Sequence, residues 1–157
     1  MSAFNLLAPA SVHLGLQAHS AEEVIRLLGG ELRSHGKVKA DFVEATLARE
    51  ASNPTGLVLG GRYNAALPHV DLEYVNQSAI ALAVLKDPVT FRSMVDQAEE
   101  VPVQLVIMLA LVDPKAQINA LGQIAEVLQN PEIVEKLVHA TTSKEIFLIL
   151  GQIEGGQ

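Results

Sequence analysis

Ser78-Ala-Ile-Ala-Leu-Ala-Val-Leu85 and the run that answers it, Val103-Gln-Leu-Val-Ile-Met-Leu-Ala-Leu-Val112, decide the fold. Both are apolar on successive positions instead of alternate ones. That is the pattern of a strand covered on its two faces, and both fall well short of the ~20 residues of a membrane-crossing helix. They read as interior strands of one sheet. Between them, residues 86–102 contain Pro88, Pro102 and Asp96-Gln-Ala-Glu-Glu100, which reads as a polar connection with one helical turn.

Upstream, residues 12–16 alternate as a short strand, and Ser20-Ala-Glu-Glu23 carries a helix cap with a Glu three residues on that can reach back. Val24, Leu28 and Leu32 repeat at helical spacing until Gly36, a left-handed stop after His35. A second helix spans about Asp41 to Ala51. Asn53-Pro-Thr-Gly56 is turn chemistry, and Leu57-Val-Leu59 is a strand closed by Gly60-Gly61. Downstream, Ile118, Leu121, Ile124 and Leu128 mark one helix, Asn130-Pro131 caps a second, and Ser143 caps a third. The order is strand, two helices, three strands, three helices. The economical way to bury it is an α/β (α+β) three-layer α/β/α sandwich around one mixed sheet, a single domain over 1–157 with a frayed tail from about 154. A chain of this length can remove roughly 70% of its unfolded surface from water.

Composition excludes several functions. The net charge is −7, with the eleven basic residues spread along the chain, so there is no footprint for nucleic acid. Aromatics make up 4% and Trp is absent, which leaves no stacking platform. With no cysteine there is no disulfide frame, thiolate nucleophile or thiolate-held metal. Residues 1–19 lack a basic n-region, and Ser11, His13, Gln17 and His19 interrupt their apolar residues, so no secretory signal is expected and the cytoplasm is the expected location.

The segment richest in chemistry is Asn64-Ala-Ala-Leu-Pro-His69-Val-Asp71. A short apolar strand stops at Pro68, whose ring fixes its own φ and keeps Leu67 extended, so the next side chain leaves the sheet in a restricted direction. That side chain is His69, at a strand end, where open sheets build their sites. At neutral pH an ordinary imidazole is mostly neutral and can act as a nucleophile. From the residues alone His69 is either that or a partly buried imidazole satisfied by a backbone carbonyl. Arg49 is either an anion clamp or half of an ion pair with Glu50, Glu44 or Asp71.

Leu47-Ala-Arg49-Glu50, then Pro54-Thr-Gly-Leu57, then Ala65-Ala-Leu-Pro-His69, then Asp113-Pro-Lys-Ala-Gln117, then Gln129-Asn-Pro-Glu-Ile-Val-Glu-Lys-Leu137 stand in this order. Nearly the whole chain thereby resembles the enzyme IIA components of the bacterial sugar phosphotransferase system, of mannitol, fructose and galactitol type. The resemblance implies a phosphohistidine carrier without a cofactor. His69 would accept a phosphoryl group on Nε2 from the carrier protein HPr, with Nδ1–H held by a nearby acceptor. It would pass the group to a cysteine of an enzyme IIB component, and so serve a membrane enzyme IIC indirectly. Arg49 would clamp the phosphoryl group; a guanidinium offers paired donors to such a group. A regulatory module, whose phosphorylation state sets its affinity for a target protein, is the alternative within the same resemblance.

Among the secondary candidates, Thr55 and Gly56 shape the loop beside the site, and Asp71 either orients the imidazole or begins a turn, the turn being favoured. Mannitol- and fructose-type members have a second histidine shortly after the long strand. Here that stretch reads Lys115-Ala-Gln117-Ile118, as in the galactitol branch, where the residue is also Gln. Gln117 can donate a hydrogen bond to a phosphoryl oxygen but adds no positive charge, and the expected substrate shifts toward galactitol or a related polyol. His13, His19, His35 and His139 read as structural, without metal-ligand spacing.

Overall fold

The computed structural model describes residues 2–155, and side chains for residues 2–151. The chain runs β1 (Leu7–Leu16), α1 (Ala21–Ser34), α2 (Phe42–Ser52), β2 (Gly56–Leu57), β3 (Ala65–Ala66), β4 (Ala79–Arg92), β5 (Glu100–Ala110), α3 (Pro114–Leu128), α4 (Pro131–His139) and α5 (Ser143–Gly155). Short 3-10 turns stand at Ala3–Leu6 and Leu72–Tyr74. The sheet order is β1-β4-β5-β3-β2. β1 is parallel to β4, β4 antiparallel to β5, β5 parallel to β3, and β3 antiparallel to β2, so the sheet is mixed as expected. Among the described residues no helix is long and apolar enough to cross a membrane.

The two decisive runs lie at the centre of the sheet, and alternate residues of each enter different cores. Ile80, Leu82, Val84, Leu105, Ile107 and Leu109 pack with Ile124, Leu137 and Ile146 of α3, α4 and α5. Ala79, Ala81, Ala83, Val106 and Met108 pack with Ile25 and Leu28 of α1 and Phe42 of α2. The helices thus form two outer layers. Over residues 79–84 of β4 the alanines face the α1–α2 core and Ile80, Leu82 and Val84 face the three C-terminal helices, so in this stretch the two layers meet side chains of different volume. Truncating Leu82 to Ala would cost about 2–5 kcal/mol by lost transfer energy and the cavity left behind.

Local chemistry sets the ends. Ser20 Oγ accepts from Glu23 N at 3.1 Å, while the Glu23 carboxylate reaches back to His19 N at 3.0 Å. Gly36 has φ +73°, Lys37 N donates to Leu32 O and Gly36 N to Arg33 O, the paired bonds of a glycine-terminated helix. Asn130 caps α4 through Glu132 N and Ile133 N.

Four expectations change. The connection expected over 86–102 is confined to 93–99: β4 runs on to Arg92 and β5 begins at Glu100, a two-stranded arm pairing Val89 with Val103 and Phe91 with Val101. Those four residues are buried at every second position, and the prolines that hid the pattern are accommodated, Pro88 lying inside the register shift between Val84 and Val89. Four strands, not three, follow α2: the strand expected at 57–59 is the two-residue β2 at 56–57, and the short strand read before Pro68 but left out of the count of three is β3 at Ala65–Ala66. β1 starts at Leu7, with a register shift between Leu7 and Val12. Thr142, not Ser143, caps α5, its Oγ1 accepting from Glu145 N at 3.2 Å. α5 runs to Gly155, and the rest of the expected tail lies outside the described residues.

The β4–β5 arm explains Gly56. A Cβ there would meet Arg92 O at 2.5 Å, and Met94 N donates to Gly56 O at 2.8 Å. The Pro54-Thr-Gly56 turn is therefore pinned beneath the arm, at the end of α2.

Candidate functional site

β3 lies on β5, and the pairing continues past it: Leu109 N donates to Pro68 O at 3.0 Å, and His69 bridges to Leu109. Pro68 is buried and His69 partly so. The imidazole lines a cavity of about 510 Å³ with Arg49, Pro54, Thr55, Leu67, Leu121 and, from the β4–β5 arm, Met94 and Gln97.

Both ring nitrogens of His69 are engaged. Nδ1 lies 2.7 Å from Leu67 O, and Nε2 lies 3.3 Å from Nη2 of Arg49. A carbonyl can only accept and a guanidinium can only donate, so Nδ1 carries the proton and Nε2 presents its lone pair. Burial pushes the imidazole below the ordinary histidine value of 6.5; the Leu67 carbonyl pulls it back up, Arg49 lowers it, and Asp71 raises it slightly. The ring is thus a neutral Nδ1–H tautomer whose Nε2 faces a cation, suited to forming a bond to an electrophile that brings negative oxygens with it.

Arg49 stands in the last turn of α2 and has spent little of its donor capacity. Its Nε is buried with no hydrogen-bond partner. The neighbouring Glu50 turns to the loop instead of to Arg49, accepting from Thr55 N at 2.7 Å and from Thr55 Oγ1 at 2.8 Å. Burial raises the Glu50 carboxyl, opposed by the two Thr55 donors and the Arg49 charge. Thr55 Oγ1 in turn accepts from Leu67 N at 3.2 Å.

The structure thus brings Arg49, Thr55 and His69 together. Asp71 is exposed and precedes the Leu72–Tyr74 turn; the group that orients the ring is the Leu67 carbonyl. Gln117 lies in the wall of an adjoining depression of about 480 Å³ with Asp71, Glu73, Ile118 and Leu121, and Leu121 borders both hollows. Glu50, Met94 and Gln97 were not candidates from sequence. Glu50 was legible only as the neighbour of Arg49, while Met94 and Gln97 come from the arm that the prolines concealed. His13 pairs with Glu31 across 2.8 Å. Among the described residues no group of three or more His, Asp or Glu could hold a metal ion.

Comparison with known proteins bears on this geometry. The family described as phosphoenolpyruvate-dependent sugar phosphotransferase system, EIIA 2, matches residues 5–153. The galactitol-specific EIIA component of Escherichia coli K12 is 34% identical over 138 residues, covering 87% of this chain and 91% of its own. A Streptococcus mutans structure described as the PTS IIA PtxA superposes with a TM-score of 0.79 at 28% identity, over 97% of this chain and 94% of that one. The complex of mannitol enzyme IIA with phosphorylated mannitol enzyme IIB from Escherichia coli gives a TM-score of 0.76 at 25% identity, covering 94% of this chain and 99% of that one. The chain belongs to the EIIA 2 family of the phosphoenolpyruvate-dependent sugar phosphotransferase system and is a phosphotransferase component working in phosphoryl transfer.

Proposed function

We propose that His69 is the residue that carries the phosphoryl group, taking it on Nε2 from the phosphohistidine of HPr in the cytoplasm and passing it to a cysteine of an enzyme IIB component. The observation that supports this reading most directly is the tautomer: Nδ1–H is committed to Leu67 O and the free Nε2 lone pair faces Arg49. Attack by Nε2 on phosphorus forms the new N–P bond as the donor's N–P bond breaks and its ring recovers the electron pair. The proton stays on Nδ1, donated to Leu67 O, so the phosphorylated ring carries positive charge and is a good leaving group for the next step. A thiolate of enzyme IIB then attacks phosphorus, and Nε2 regains its lone pair.

Such transfers require mainly alignment and neutralisation of the phosphoryl oxygens. Arg49 supplies that charge, and its unpartnered Nε is a donor in reserve for an oxygen. The IIB partner is supported by the fold likeness to a mannitol IIA that forms such a complex. Galactitol or a related polyol as the transported sugar is supported by the 34% identical galactitol-specific relative and by Gln117 in place of a histidine, with enzyme IIC acting downstream.

The test is intact mass after incubation with phosphoenolpyruvate, enzyme I and HPr at mildly alkaline pH, because phosphohistidine is acid-labile. The expected result is a gain of one phosphoryl group, lost in acid and absent from His69→Ala. A gain retained by that variant, or none in the folded wild type beside a working control carrier, would overturn the proposal.

A further inference from the structure

Three hydrogen bonds not used by the transfer step run in series into the one that orients His69. The Glu50 carboxylate accepts from both Thr55 N (2.7 Å) and Thr55 Oγ1 (2.8 Å). Because the single hydroxyl proton of Thr55 is given to Glu50, the oxygen is left as an acceptor, and it takes the Leu67 N–H at 3.2 Å. The carbonyl of the same Leu67 then receives Nδ1–H of His69 at 2.7 Å. Thr55 and Leu67 are buried, and the Leu67 N–H to Thr55 Oγ1 bond between them is buried too.

We infer that Glu50 and Thr55 are positioning residues for the phosphoryl acceptor, anchoring the backbone of Leu67 at its N–H and so placing its carbonyl, in the next peptide unit, which sets the tautomer and aim of His69. This rests on His69 being the acceptor. Adjacent residues at the end of α2 thereby perform two tasks: Arg49 faces Nε2 from one side, and Glu50, through Thr55 and Leu67, holds Nδ1 from the other. Without the chain of bonds the Leu67 N–H loses its buried acceptor, Leu67 can shift in φ and ψ, its carbonyl moves off Nδ1, and the imidazole can place its proton on Nε2, where it blocks attack. The direction of every proton in the series depends on Glu50 being acceptor-only. A glutamine there would offer one acceptor and one donor group. With its oxygen on Thr55 N, its amide would donate to Thr55 Oγ1, and the displaced hydroxyl proton would compete with Leu67 N–H.

The experiment compares wild type, Thr55→Val, Thr55→Ser and Glu50→Gln by two readouts. The first is the ¹⁵N chemical shifts of the His69 ring in unphosphorylated protein, which distinguish Nδ1–H from Nε2–H. The second is the rate of phosphoryl acceptance from phospho-HPr, split into kcat and KM. The expected result is a single Nδ1–H signature in wild type and Thr55→Ser. Mixed signatures and a kcat lower by about tenfold with little change in KM are expected in Thr55→Val and Glu50→Gln. A wild-type tautomer and kcat in Thr55→Val or Glu50→Gln would overturn the inference, even if Tm fell, since that would be a structural role alone. Should Thr55→Val not fold, Glu50→Gln decides by the same two criteria. The ring signature is read without phosphate, so a wild type that keeps the Nδ1–H form but takes no phosphoryl group would refute the assigned acceptor while leaving the hydrogen-bond series standing.

Discussion

His69 and His139 are held in the same way and are placed differently. Each gives its Nδ1 to a backbone carbonyl, Leu67 O at 2.7 Å and Glu135 O at 2.9 Å, and each turns Nε2 toward a donor. For His139 that donor is the Tyr63 hydroxyl at 3.3 Å and for His69 it is the Arg49 guanidinium, also at 3.3 Å; both rings line a hollow of about 510 Å³, but His139 is exposed and His69 half-buried. The comparison separates two things that a functional histidine needs. Ring orientation comes from any carbonyl within reach, and a helix end supplies one at i−4 without further design. A cation with spare donors set against Nε2, and a half-buried ring, are found at His69 and not at His139. Burial there also favours the neutral ring.

The largest break in this comparison is to remove each ring in turn. His69→Ala should lose the phosphoryl mass gain completely, whereas His139→Ala and His13→Ala should keep it. Next in size is the cation. Arg49→Met should slow acceptance by about 10²-fold or more, the usual scale for removing a preorganised donor from developing negative charge, measured by rapid-quench transfer from phospho-HPr.

A smaller effect is the response to pH. Because the folded-state pKa of His69 lies below the unfolded value of 6.5, the neutral ring persists as pH falls through that value, and acceptance should decline only at lower pH. For stability, the unfolded chain binds the proton first. The contribution of this group is therefore fully present above 6.5 and is lost as pH falls toward the folded value. A pH–rate profile whose acid limb falls at or above 6.5 would sink this reading. Gly56→Ala sharpens the other side of the contrast by disturbing the support of the site and not its chemistry: it should lower stability by about 1–3 kcal/mol in denaturant titration, since backbone at Arg92 O has no room to yield. Tyr63→Phe should change stability by about 0.5 kcal/mol or less and leave phosphoryl acceptance untouched.

Much of this was legible in sequence where one residue type has one physical meaning. Continuous apolar runs mean a strand covered twice, and Ile80 to Val84 enter two cores as that reading requires. Gly36 means a left-handed turn, and it has one. Pro68 before His69 marks the strand end that the structure shows. What stayed hidden was set by pairing across the chain. The arm over 86–102 depends on Val89 and Phe91 finding Val103 and Val101, and that register is not visible beside two prolines. The Leu67 carbonyl belongs to a backbone group, which carries no sequence signature at all. Glu50 was seen as a possible partner for Arg49, yet its bonds go to Thr55, because two donors in one turn outcompete an adjacent side chain that is aimed elsewhere.

The sheet order also bears on how the chain folds. β4 and β5 are neighbours in sequence and in space, whereas β1 pairs with β4 only after the whole of α1, α2, β2 and β3 has been laid down, as Val12 opposite Leu82 shows. Closing a long loop costs more entropy than closing a hairpin, and non-local pairing is slow. The hairpin is therefore the inexpensive nucleus, and β1, although it precedes the hairpin in the chain, is among the last to dock. In hydrogen exchange the amides of β1 should open more readily than those of β5, so an edge of the molecule remote from the cavity sets the lowest rung of its stability.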